Sequence, residues 1–268
     1  MKKYLYVISI GIQNTLVYRV NFLFRSLFGL IPLFATISLW RTIYAGQADG
    51  AGVAGYTLAE MVSYYLVVTI VDAFTAVAED DWQIAGDIKE GTISQFLLKP
   101  LDYLGYRLCL YGAGRLIFTA CAVLPVTGFI LLLRDYFVWP ADAVTYVWFG
   151  LSLVLTGLLQ FLMSYTMALL AFWVQEVSTF IFMLYALEYI AGGHLFPLDI
   201  LPPLVAKALY FTPFPYLLYF PVNIYLGRAT GPSLLQGMLI QLAWVVVAYF
   251  MARLVWARGI KRYSAVGG

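Results

Sequence analysis

Residues Ala143–Gln175, AVTYVWFGLSLVLTGLLQFLMSYTMALLAFWVQ, run for 33 positions without an Asp, Glu, Lys or Arg. As a helix this stretch would measure roughly 50 Å, against a bilayer hydrocarbon core of about 30 Å. A soluble domain has no use for such a run, so the solvent of this chain is a lipid bilayer. The composition agrees. Of the 268 residues, 63% are hydrophobic and 11% charged, where soluble domains carry about 25% charge. Aromatic residues make up 18%, and Trp and Tyr suit membrane–water boundaries. A net charge of +2 gives no reason to expect a nucleic acid partner. Cys109 and Cys121 fall near the cytoplasmic start of one predicted helix and are expected as free thiols. The start, Met1-Lys2-Lys3 and an apolar run, superficially resembles a signal peptide. Gln13, Asn14 and Arg19 interrupt it and no small-residue cleavage site follows, so the segment is expected in the mature protein.

Outward from that stretch, charge-poor runs separated by polar breaks predict an all-α integral membrane protein with six transmembrane helices. They lie near Phe22–Ile43, Tyr56–Ala78, Leu110–Leu133, Tyr146–Trp173, Val177–Phe196 and Leu234–Trp256. Pro32 and Pro125 fall inside spans, where packed neighbours can satisfy a freed carbonyl. Only Val174-Gln175-Glu176 separates the fourth and fifth spans, which requires a tight hairpin. Basic residues set the orientation. Lys2, Lys3, Arg19, Arg25, Lys89, Lys99, Arg107, Arg115, Arg253, Arg258, Lys261 and Arg262 share one side. Only Arg41, Arg134, Lys207 and Arg228 fall on the other, so the positive-inside rule places both termini in the cytoplasm. Residues 1–268 read as a single transmembrane domain without internal repeats.

Three segments are not spans. In the cytoplasmic loop 79–109, Glu79, Asp80 and Asp81 run into Gly86, and Gly91 offers a helix stop. Thr92 with Gln95 has the spacing of a capping box. It predicts a short helix over Ile93–Leu98 that ends before Pro100, and Asp102 can cap the next helix. Ile93, Phe96 and Leu97 form an apolar face, which suits either lipid or the groove of a cytoplasmic partner. The outer segment 197–232, with Phe196 before it, holds seven of the eleven prolines, yet the residues between are strongly apolar. Short re-entrant helices dipping into the outer leaflet fit that combination. The N-terminal 1–21 is amphipathic, with Tyr4, Ile8, Ile12 and Leu16 at steps of four, and is expected as an interfacial helix.

The chain has no G-x-x-x-x-G-K-[S/T] loop, no H-E-x-x-H, no G-x-S-x-G and no paired Cys motif, so no cofactor or metal is expected on it. His194, the only histidine, follows Gly192-Gly193 at an outer boundary and is expected as a packed or solvated side chain. Asp72, Arg115 and Glu188 are the ionisable groups deepest in the predicted spans, where charge is costly. Asp72 and Arg115 fall at similar depth and are expected as a self-neutralising intramembrane pair. Glu188 and Tyr185, one turn apart, are the candidates for lining a translocation path; otherwise Glu188 is protonated or bonded to a neighbouring helix.

Several stretches resemble a permease family of the type-2 ABC exporter class. They are Tyr18-Arg19-Val20-Asn21-Phe22, Gly55-Tyr56-Thr57-Leu58-Ala59-Glu60-Met61-Val62, and Asp87-Ile88-Lys89-Glu90-Gly91 continuing to Phe96-Leu97-Leu98-Lys99-Pro100. Leu170-Ala171-Phe172-Trp173, Pro197-Leu198-Asp199, Tyr219-Phe220-Pro221-Val222 and Leu226-Gly227-Arg228 add to them, and the tail Arg262-Tyr263-Ser264-Ala265-Val266-Gly267-Gly268 is the most distinctive. The resemblance implies a permease of the bacterial cytoplasmic (inner) membrane. Its partners would be an ABC ATPase subunit, which carries the ATP and Mg²⁺, and a second permease, either related or a copy of the same chain. It also carries an ATPase-coupling role onto Asp87–Leu104, with Ile88, Glu90, Gly91, Thr92, Ile93, Phe96, Leu97, Leu98, Lys99 and Pro100 as the residues concerned. Export is expected from the resemblance and from the lack of any feature suited to a solute-binding protein. Two alternatives from other classes are an intramembrane lipid-modifying enzyme built on Glu188, His194 and Asp199, and a channel. The first would turn over lipid without an ATPase, and the second would conduct without ATP.

Overall fold

The computed structural model describes residues 2–46, 52–77, 80–140 and 142–263, and among them the regular elements are helices. Helix α1 (Lys2–Leu16) is separated from α2 (Arg19–Ala45) by a break at Val17–Tyr18. It lies along the first half of α6 (Tyr103–Leu132), and Gly11 allows the close approach, since a Cβ there would meet that of Ala113 at 2.9 Å. Helix α2 runs through Pro32 and α6 through Pro125, so both spans continue past their prolines.

Helix α3 (Leu58–Thr75) forms the axis of the bundle, packed between α2, α6 and α7 (Ala143–Ala168). Met61–Val68 are all buried along it. A capping box starts it: Glu60 N–H donates to Thr57 Oγ1 at 3.2 Å and Thr57 N–H to the Glu60 carboxylate at 2.8 Å. The helix ends at Ala76, where the backbone turns extended. Of the expected span Tyr56–Ala78, the regular helix therefore covers Leu58–Thr75. Helix α4 (Asp80–Lys89) continues beyond the break and packs on α7. Asp102 caps α6 as expected, accepting from Gly105 N–H at 3.1 Å. That helix begins seven residues before the expected Leu110 and brings Tyr103 and Arg107 into regular structure.

Among the described residues, five helical stretches are long and apolar enough to cross a bilayer: α2, α3 together with α4, α6, α7 with its 3-10 extension, and α11 (Gly231–Gly259). The expected continuous fifth span, Val177–Phe196, does not form. Helix α8 (Ser178–Ala191) has 14 residues, roughly 21 Å of rise, and stops at Gly192-Gly193. The two glycines relax the helix where the surrounding residues stay apolar, so hydropathy alone carried the expectation too far.

The proline-rich segment 197–232 breaks up into 3-10 turns at Leu198–Ile200 and Phe214–Tyr216 and two seven-residue helices, α9 (Pro203–Leu209) and α10 (Tyr219–Tyr225). Every residue of α10 is buried, against α3 and α7. Outward faces of α2, α6 and α11 expose Phe28, Phe34, Leu124, Leu132, Leu239 and Phe250. Apolar surface of that extent fits lipid rather than water. Both thiols are free on α6.

Candidate functional site

At one end of the bundle the chain turns back between α4 and α6 in a compact elbow. Asp87 organises it. Its carboxylate is ion-paired with Arg107 and accepts from Tyr103 Oη at 2.6 Å and Thr92 Oγ1 at 3.1 Å, while its carbonyl accepts Ile93 N–H at 2.9 Å. Arg107 also donates from Nε to Tyr103 Oη at 3.0 Å and from Nη1 to Gln83 Oε1 at 3.2 Å. The arginine is buried, so its charge is matched by a carboxylate and neutral oxygens.

Gly91 takes φ +77°, a left-handed conformation that side chains resist, and its carbonyl accepts Tyr263 Oη at 3.0 Å. The turn after it carries α5 (Ser94–Leu97), four residues long. The expected capping box is absent because Thr92 spends its hydroxyl on Asp87, and the helix is shorter than Ile93–Leu98. Ile88 and Ile93 are buried. The Phe96 ring lies 4.8 Å from Tyr106 and 5.4 Å from Tyr103, and Lys99 Nζ sits 4.9 Å above it. Tyr103 in turn stacks on Trp256 of α11 at 5.1 Å.

The apolar face expected to meet a partner is therefore divided. Ile93 and Phe96 anchor the elbow inward, whereas Leu97 is half exposed and Leu98 is 89% exposed. Glu90, Lys99 and Pro100 are exposed beside them. Lys3 Nζ donates to Pro100 O at 2.6 Å, and Arg253 donates to the Asp102 carboxylate at 2.5 Å. The N-terminal helix, the elbow and the end of α11 thus meet at one end of the bundle. Ala78 at the end of the expected second span, Glu79 of the expected loop, and Ser264–Gly268 of the tail motif lie outside the described residues.

A second polar site surrounds the broken fifth crossing. Tyr185 of α8 donates to Asp81 of α4, and buried Glu188 accepts from Gln160 of α7. Gly193 has φ +97°, and a Cβ there would stand 2.6 Å from Tyr64 Oη. Tyrosines of α3 complete the interrupted backbone: Tyr64 Oη donates to Gly193 O at 2.7 Å and Tyr65 Oη to Leu195 O at 2.9 Å. Tyr219 N–H of α10 donates to Gly192 O at 3.0 Å. Non-helical backbone at membrane depth needs such partners.

Two of the sequence-based expectations fail. Asp72 does not pair with Arg115; its Oδ1 lies 3.1 Å from His194 Nε2. Arg115 instead lies over the Phe118 ring at 4.9 Å. Ending α8 early lowers His194 from the outer boundary to the level of Asp72, which helical continuation would have prevented. Glu188, His194 and Asp199 also fail to form one constellation. Asp199 accepts from Tyr56 Oη at 2.7 Å, apart from the partners of the other two. Sequence reasoning placed Asp87 and Tyr103 only within the Asp87–Leu104 coupling range, without a part of their own, and assigned no site role to Arg107, Asp81 or Gln160, although Arg107 counts among the basic residues of that side.

The family model described as "ABC-2 family transporter protein" matches residues 30–267. The chain belongs to that family and is an ABC transporter permease, a multi-pass membrane protein whose family implies partnership with an ABC ATPase. No curated protein matches the chain.

Proposed function

We propose that this permease is the membrane subunit of an ATP-driven exporter in the bacterial inner membrane, with ATP and Mg²⁺ held by a separate ATPase chain. The observation that carries the reading is the exposure of Leu97 and Leu98 at the tip of an elbow tied to three helices. Phe96 connects the tip through Tyr103 to α6 and Trp256 of α11, and Asp87 connects it to α4. The same α4 holds Tyr185 of α8 through Asp81, six residues before Asp87 and about 9 Å along the helix. A push by the ATPase on the tip would reach the broken crossing along α4 and there move Tyr185 and Glu188, the groups assigned to the translocation path.

We infer six crossings with both termini in the cytoplasm, a reading that the same contacts support. The N-terminal helix, the elbow and the end of α11 share one end of the bundle, which favours an even number of crossings. Five long helices are odd, and α8 with the unwound 192–197 supplies the sixth. The outward face of α8 exposes Phe182, Met183, Leu187, Tyr189 and Ile190. A helix this short, followed by irregular backbone, is poorly suited to face lipid alone. A second permease against this face would shield it and place the path at the seam.

The test is site-specific photo-crosslinking. A photoreactive residue at position 98 in native membranes should capture an ATP-binding protein, and one at exposed Leu204 of α9 should not. Capture of lipid only at position 98 would reject the coupling role.

A further inference from the structure

A cavity of about 340 Å³ lies between α2, α3 and α6, and it is lined by two arginines, Arg25 and Arg115. Its other polar groups are already engaged. Ser26 Oγ donates to Leu23 O at 2.8 Å, Thr69 Oγ1 to Tyr65 O at 3.0 Å, and Asp72 Oδ1 faces His194. Among the described residues neither guanidinium has a hydrogen bond or an ion pair. Gly29, Ala73, Ala76 and Ala122 keep the walls small, which leaves room for a compact headgroup. Arg25 is six residues, about 9 Å, into α2 from the end where both termini lie. That is headgroup depth, where an unmatched cation is costly and an anionic partner is favoured.

Arg115 lines a second space as well, an apolar groove of about 1000 Å³ between α6 and α7 that includes Gly112, Ala120, Gly150 and Gly157. A soluble anion would have no use for it, whereas an acyl chain would fill it. We propose that the cavity binds the phosphodiester of an anionic phospholipid from the leaflet on the side of the termini. Arg25 and Arg115 hold the phosphate, and an acyl chain lies in the α6–α7 groove. Guanidinium groups suit this task because their planar fork presents paired donors to phosphate oxygens. The wall carries two cations against one carboxylate, which favours a headgroup with net negative charge. Asp80, at the head of α4, and Asp72 in the wall are the carboxylates that compete for Arg115. The inference does not depend on the direction of transport or on the coupling role of the elbow.

The full chain, purified with the partners it retains, is placed in nanodiscs of phosphatidylcholine with or without phosphatidylglycerol, and retained lipid is counted by native mass spectrometry. Wild type should retain phosphatidylglycerol over phosphatidylcholine by about tenfold. Arg25→Gln, on the exposed side of α2, should abolish most of that preference, and Arg115→Lys should weaken it by removing the fork while keeping the charge. Arg41→Gln, at the opposite end of α2, should leave it unchanged. Should Arg115→Lys fail to fold, the Arg25→Gln result decides. Equal retention of the two lipids, or a preference that survives Arg25→Gln, would overturn the proposal. Displacement of the lipid by millimolar inorganic phosphate would also overturn it, because the site would then belong to a soluble anion.

Discussion

The elbow between α4 and α6 and the break after α8 both interrupt helices, and they are repaired in opposite ways. At the elbow an ion pair and stacked rings fill the interior, and the apolar tip points outward. At the break the ionisable groups are turned inward and neutral tyrosine hydroxyls close the open carbonyls. A buried ion pair resists deformation because separating it strands a charge. Single hydroxyl–carbonyl bonds are exchanged at far lower cost. The difference suits a stiff element that transmits force and a softer one that moves in response.

The largest expected effect breaks the stiff side of this comparison. Arg107→Met leaves Asp87 without its cation and should destabilise the protein by about 3–5 kcal/mol, read as a large loss of thermal stability and of folded protein in detergent. A shift no greater than that of a surface substitution would show that the ion pair does not hold the elbow.

On the soft side, Gly193→Ala adds a methyl where φ is +97° and Tyr64 Oη is 2.6 Å away. The cost should be about 1–3 kcal/mol, smaller than for Arg107→Met, and thermal unfolding of the two variants side by side checks the order. The reverse order would place the rigid element at the break.

Smaller still in stability is Glu188→Gln. The substituted side chain keeps an oxygen for the Gln160 amide and loses only the ionisable group, so unfolding should change by less than about 1 kcal/mol. Transport and substrate-stimulated ATP hydrolysis should nevertheless fall several-fold. If both persist at wild-type levels, Glu188 is a packing residue and the path lies elsewhere.

These contrasts also show what the sequence could disclose. Hydropathy located the long helices, and seven prolines announced a broken outer segment, because both signals are local. The Asp102 cap was legible for the same reason. The Thr57–Glu60 capping box has the same spacing signature as Thr92–Gln95, yet only the first forms. The second loses to Asp87, five residues upstream, which claims the Thr92 hydroxyl. The pairing of Asp72 with His194, 122 residues away, has no local signal. It depends on α8 ending at Gly192-Gly193, and the apolar residues on either side of that pair concealed the stop. Likewise Phe96 and Leu97 are adjacent and similarly apolar. Only the rings of Tyr103 and Tyr106 decide that the first is an anchor and the second lies at the surface.

That division between anchor and tip is tested most directly by charging the tip alone. Leu97→Asp with Leu98→Asp places two carboxylates where the permease itself has little packing to lose, so its thermal stability and abundance should stay near wild type. Co-purification of the ATPase should be lost, or its hydrolysis uncoupled from transport. Phe96→Asp, by contrast, should unfold the elbow and lower stability. If the doubly substituted permease still co-purifies its ATPase and transports normally, the tip is not the coupling contact, and the account of force entering through the elbow is contradicted.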